Sequence, residues 1–169
     1  MSNTVNLYSL SYSNVKTYWF AVLFVIGNIV LPEICHFVPD GGFIFLPIYF
    51  FTLIGAYKYG WKVGLLTSLA SPLVNHFLFG MPPVAVLPSI LIKSVILTFA
   101  ASFIANKFRS VTLLHLLTVV LLYQIAGSFI ESGIVGSLAK GFQDFRIGIP
   151  GMLLQIFGGY AFIKYALKK

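Results

Sequence analysis

Six apolar runs, most of them close to the length needed to cross a lipid bilayer, occupy nearly all of this 169-residue chain. They fall at residues 17–34, 43–57, 60–79, 84–106, 111–135 and 147–167, the second being short. A helix of about 20 mostly apolar residues spans the hydrocarbon core. Within that core the backbone polar groups must be satisfied internally, and the runs are too long and continuous for barrel strands. Charged residues make up 9% of the chain and hydrophobic ones 59%, whereas an ordinary globular domain carries roughly 25% charged residues. The expected fold is all-α: an integral membrane bundle of six transmembrane helices forming one domain over residues 16–169, preceded by a polar segment, residues 1–15.

The breaks between runs are chemically distinct. Pro39-Asp40-Gly41-Gly42 and Gly80-Met81-Pro82-Pro83 are turn signals, and 106–110 is a polar interruption. With six crossings both termini share one side. That side receives Lys16, Lys58, Lys62, Lys107, Arg109, Lys164, Lys168 and Lys169, eight basic residues against two, Lys140 and Arg146, on the other. The positive-inside rule makes the richer side cytoplasmic, so both termini are expected there. This placement also accounts for the net charge of +7 without nucleic acid as a partner. Residues 1–15 lack the pattern of a removable signal peptide. All four acids, Glu33, Asp40, Glu131 and Asp144, fall on the outer half.

Polar groups at membrane depth are costly, of the order of 2.5–3.5 kcal/mol for an ionised side chain, and are functional candidates by default. Lys93 lies about nine residues into the fourth run, roughly 13 Å deep at 1.5 Å per residue, with Ser89 one turn above it. Gln124, Ser128 and Glu131 share a face of the fifth run, with Gly127 beside them. Glu131 is placed to reach Lys93, either as a structural ion pair or as part of a pocket. Asn75 and His76 follow Pro72 in the third run and are candidate substrate contacts. Gln155 in the sixth run, near Gly148, Gly151 and Gly158, reads as packing glue or pocket lining. Tyr18, Trp19, Tyr57, Tyr59, Trp61 and Tyr165 read as an interfacial belt; Tyr49 and Phe50 can face a pocket but read more readily as core or lipid-facing. Gly60, Gly64 and Ser68, spaced by four, form a small-residue ridge for internal packing or for docking another membrane protein.

Several classes are disfavoured. No phosphate-binding Gly-rich loop ending in Gly-Lys-Ser/Thr, no His-Glu-x-x-His and no Gly-x-Ser-x-Gly is present. The single Cys35 allows no internal disulfide, and His36, His76 and His115 are placed too far apart for a three-histidine metal site. No catalytic residues, metal or cofactor are expected. A self-sufficient secondary transporter or channel, with Lys93 and Glu131 as a relay, is one functional reading.

A second comes from a resemblance. Residues 43–51 read Phe-Ile-Phe-Leu-Pro-Ile-Tyr-Phe-Phe, followed by Gly55, Gly60 and Gly64, then Ser71-Pro72-Leu73-Val74-Asn75 and Phe79-Gly80-Met81-Pro82-Pro83. This stretch resembles the substrate-binding S components of energy-coupling factor (ECF) vitamin transporters, with Leu46-Pro47-Ile48 and the 79–83 block carrying most of the similarity. The resemblance implies capture of a vitamin or related micronutrient outside a bacterial or archaeal cytoplasmic membrane. It implies partners too: a transmembrane coupling protein and two ATPase subunits, as well as membrane lipid. The pocket it implies lies in the outer half, lined by the fourth to sixth helices and capped by residues 35–42. The Ala-x-x-x-Ala docking motif often seen on the family's first helix is replaced here by Ala21 and Gly27, which shifts docking toward Gly60, Gly64 and Ser68. The substrate stays open: a zwitterion, a carboxylate of pantothenate type paired with Lys93, or a stacked heterocycle.

Overall fold

The computed structural model describes residues 7–167, and the regular secondary structure among the described residues is all helical, with no strand. Residues 1–6 of the polar segment, and Lys168 and Lys169 of the basic side, lie outside the described residues. Helix α1 covers Val15–Cys35, α2 Gly41–Phe45, α3 Phe50–Tyr59, α4 Trp61–Phe79, α5 Leu87–Phe108 and α6 Leu113–Val135. Two short helices follow, α7 (Leu138–Gly141) and α8 (Gln143–Ile147). The last, α9, begins at Ile149–Leu153 and continues to residue 166 with π-helical stretches at Leu154–Gly158 and Phe162–Ala166.

Four helical stretches are long and apolar enough to cross a membrane: Val15–Cys35, Gly41–Tyr59, Leu87–Phe108 and Leu113–Val135. Their exposed side chains are oily. On α1, Trp19, Val22, Leu23, Ile26, Val30 and Ile34 all face outward, which suits a surface whose solvent is lipid. The third and sixth expected crossings correspond to α4 and α9. The former carries Lys62, Asn75 and His76, and the latter alternates between α and π geometry.

The second run is not one continuous helix. Leu46 adopts left-handed backbone angles (φ 46°, ψ 46°), and Pro47–Tyr49 forms a 3-10 turn before α3 begins. Proline disfavours helical geometry at the residue before it and donates no backbone hydrogen bond. The break separates α2 from α3, and α3 runs through the middle of the bundle with every residue from Thr52 to Tyr59 buried.

A polar knot fixes three helices together. Asn28 of α1 donates through Nδ2 to Thr52 Oγ1 (3.0 Å) and Ser71 Oγ (3.1 Å), and its Oδ1 accepts from the Phe51 N–H (3.1 Å). Asn75 returns the link, donating to the backbone carbonyls of Asn28 (3.0 Å) and Ser71 (2.8 Å). In an apolar solvent the hydrophobic effect gives little specificity between helices, so such bonds set register.

At the opposite end, residues 7–14 lie across the α3–α4 corner. The Tyr8 and Leu10 N–H groups donate to the carbonyls of Lys58 (2.8 Å) and Tyr59 (3.2 Å). Gly60 makes the corner at φ 95°, a conformation that favours glycine. The aromatic belt divides here: Tyr18, Trp19 and Tyr165 are exposed, but Tyr57 and Tyr59 are interior. The Tyr57 hydroxyl donates to the Ser110 carbonyl at 2.7 Å.

The small-residue ridge is spent inside the chain. Gly60, Gly64 and Ser68 are all buried. A methyl group at Gly64 would collide with Ala56 of α3 and Thr98 of α5, and the Ser68 hydroxyl donates to the Leu65 carbonyl. The ridge lets α3, α4 and α5 approach closely and presents no surface to a partner.

Candidate functional site

A cavity of about 120 Å³ lies at the end of the bundle away from the 7–14 segment. Its walls come from three stretches distant in sequence: the end of α1 and the broken second run (Pro32, His36, Phe43, Leu46, Pro47, Tyr49), the α4–α5 connection (Met81, Pro82, Pro83, with Ile90), and the carboxylates Glu131 and Asp144. Asn75 adds its side chain from α4. The walls are mostly apolar with a few converging polar groups, the usual make-up of a small-molecule site.

The floor is an ionic triad. Lys93 is 1% exposed, and its Nζ lies 2.5 Å from Glu131 Oε2 and 2.7 Å from Asp144 Oδ2. Neither an ammonium nor a carboxylate is tolerated alone at low dielectric, so each of the three needs the others. Local packing aims them. The stem of Lys93 runs across Gly127 of α6, where a methyl group would collide with its Cγ. Gly141 sits tightly against Ser132 of α6, which pins α7 to α6 and carries Asp144 on the following α8 over the lysine. Lys93 itself does not line the cavity. It sits behind the two carboxylates and holds them as a positioning residue.

Behind the walls a second set of bonds supports the site. The Tyr123 hydroxyl donates to Gln155 Oε1 (2.8 Å), and Gln155 Nε2 donates to the Leu46 carbonyl (3.4 Å), which also accepts from the Tyr49 N–H (3.3 Å) at the break in the second run. Tyr123 packs against Tyr49 with ring centres 5.3 Å apart. The hydroxyl of Tyr49, a residue 2% exposed that lines the cavity, has no hydrogen-bond partner among the described residues.

The residues expected from sequence are thus placed differently from one another. Glu131 and Asn75 line the cavity, and Lys93 anchors it. His76 is half-buried and its Nδ1–H donates to the Pro82 carbonyl (2.8 Å), so it braces the proline turn without reaching the cavity. Gln155 supports the wall. Gln124 and Ser128 are fully buried on α6 outside the lining, and neither the Gln124 amide nor the Ser128 hydroxyl has a hydrogen-bond partner among the described residues. Asp144, which lines the cavity, was not singled out from sequence as a site residue. Asp144 gave one signal, its membership of the outer acidic set; of the two aromatics able to face a pocket, Tyr49 lines the cavity and Phe50 does not. No three His, Cys, Asp or Glu side chains converge as a metal site among the described residues.

No family model, curated protein or solved structure matches this chain.

Proposed function

We propose that the chain is the solute-capturing membrane subunit of an ECF-type importer, crossing the membrane six times with both termini in the cytoplasm of a bacterium or archaeon. One observation carries this reading. The two sequence blocks that resemble S components, Leu46-Pro47-Ile48 and Met81-Pro82-Pro83, come from opposite ends of the resembling stretch, and all six residues line the same cavity. The similarity is therefore concentrated where a solute would be held. The basic residues support the orientation. Lys58, Lys62, Lys107, Arg109 and Lys164 lie in the bundle's other half, toward the 7–14 segment, and the cavity faces outward by the positive-inside rule. In this reading a separate coupling protein and two ATPase subunits drive delivery of a vitamin or similar micronutrient. Gly60, Gly64 and Ser68, being interior, are not part of their docking surface.

The test has two parts. Protein purified in mild detergent should carry a small organic solute that mass spectrometry identifies, and the same solute, added back, should raise the melting temperature. Liposomes containing this chain alone should show no gradient-driven flux of that solute. Flux by the chain alone would assign it instead as a self-sufficient transporter or channel, with Lys93 and Glu131 relaying protons.

A further inference from the structure

The charge in the cavity floor is unbalanced. One lysine faces two carboxylates, which leaves one net negative charge at the base of an apolar chamber. The lysine is already engaged by both, at 2.5 and 2.7 Å, and is shielded behind them. What the cavity presents to a solute is carboxylate: Glu131 and Asp144 are its lining groups, with side chains 14% and 16% exposed. The other ionisable group on the wall, His36, lies 3.8 Å from Glu33 and does not reverse the sign. Lys140 and Arg146 are exposed and do not line the chamber. Independent of the acids, the Tyr49 hydroxyl, which has no hydrogen-bond partner among the described residues, supplies a further hydrogen-bonding group.

We propose that the cavity takes a small organic cation, an ammonium or protonated nitrogen heterocycle on an apolar body, with its positive centre at Glu131 and Asp144 and a polar atom at the Tyr49 hydroxyl. This rests on the capture reading above and names its substrate class. A carboxylate-bearing solute is disfavoured: it would meet two like charges, and Lys93 could reach it only by abandoning its partners. The aromatic rings of Phe43 and Tyr49 in the wall also suit a cation, whose charge is attracted to a π face.

The experiment uses three aromatic probes of similar size that differ in charge: phenethylamine (cationic), 2-phenylethanol (neutral) and phenylacetate (anionic). Each is titrated into the purified chain by calorimetry, and any solute extracted from the protein is identified separately. Phenethylamine should bind at least about tenfold more tightly than the other two, since one unit charge at close range in a partly dry site is worth that much or more. Asp144→Asn and Glu131→Gln each neutralise the floor while leaving Lys93 one carboxylate, and each should abolish the preference. Using both guards against one failing to fold. Equal or tighter binding of 2-phenylethanol or phenylacetate, or a preference that survives in both variants, overturns the inference. An extracted cation sustains it. A neutral or anionic extracted solute overturns it while leaving the capture reading standing. If no probe binds and nothing is extracted, the capture reading falls and this inference with it.

Discussion

Asp144 reaches back 51 residues to place its carboxylate 2.7 Å from the ammonium of Lys93, so a short helix at the cavity rim is ionically tied to the interior of the bundle. With Glu131 on the other side, the lysine is held by two helical segments at once. The stability of this end of the molecule and the chemistry of its cavity thus depend on the same three side chains.

Removing the lysine should be far worse than removing the whole triad. Lys93→Met leaves two buried or half-buried carboxylates facing each other and should destabilise the bundle by about 3–5 kcal/mol. The triple variant Lys93→Met, Glu131→Gln, Asp144→Asn leaves no charge to compensate and should recover most of that loss. Thermal unfolding in detergent compares the two, and equal destabilisation would show that the ion pairing is not what matters.

Gly127 tests the aim of the lysine. Gly127→Val puts bulk where the Lys93 stem now lies and should cost about 1–3 kcal/mol through overpacking. It should also weaken solute binding by displacing both carboxylates. A stable variant with unchanged binding would mean that the stem has room to move aside.

Gly64 separates internal packing from docking. Gly64→Leu drives a side chain into Ala56 and Thr98 and should lower the melting temperature of the isolated chain, at a cost of about 1–3 kcal/mol or more. A surface residue used only for a partner would leave the isolated protein unaffected, and that outcome would reopen the ridge as a docking face.

Asn28→Ala removes the centre of the polar knot. The Phe51 N–H loses its acceptor, and the Thr52 and Ser71 hydroxyls lose their donor. The expected cost is about 2–3 kcal/mol, since buried groups left unsatisfied are penalised more than a made bond gains. Hydrogen exchange should speed up at the N-terminal end of α3, where Phe51 lies, before it does on α6.

The sequence exposed the helices because lipid imposes length and hydropathy on them, and it exposed Lys93 and Glu131 because charge in an apolar run is conspicuous. It did not expose Asp144: an acid in a short polar connection looks like any solvated loop residue, and only the packing of α7 on α6 turns it inward. Tyr49 was legible only as an aromatic able to face either a pocket or the core, and its place in the cavity wall depends on the break at Leu46. Pro47 marked the place of that break, but not that it would open a wall of the cavity. Small-residue spacing found the ridge correctly and left open which neighbour it served, since Gly60, Gly64 and Ser68 fit an internal helix as well as an external one. Asn28 was legible in principle, as a lone amide in an oily helix, and it needed Thr52, Ser71 and Phe51 around it to declare its purpose.

The stretch ahead of the first helix has a practical meaning. Because Tyr8 and Leu10 bond to the carbonyls of Lys58 and Tyr59, and the Thr17 hydroxyl donates to the Ser11 carbonyl at 2.6 Å, these residues finish the α3–α4 corner from outside. A chain trimmed back to the start of the oily segment would lose a clasp and not just a tail, and the wound would open at the end of the molecule farthest from its cavity.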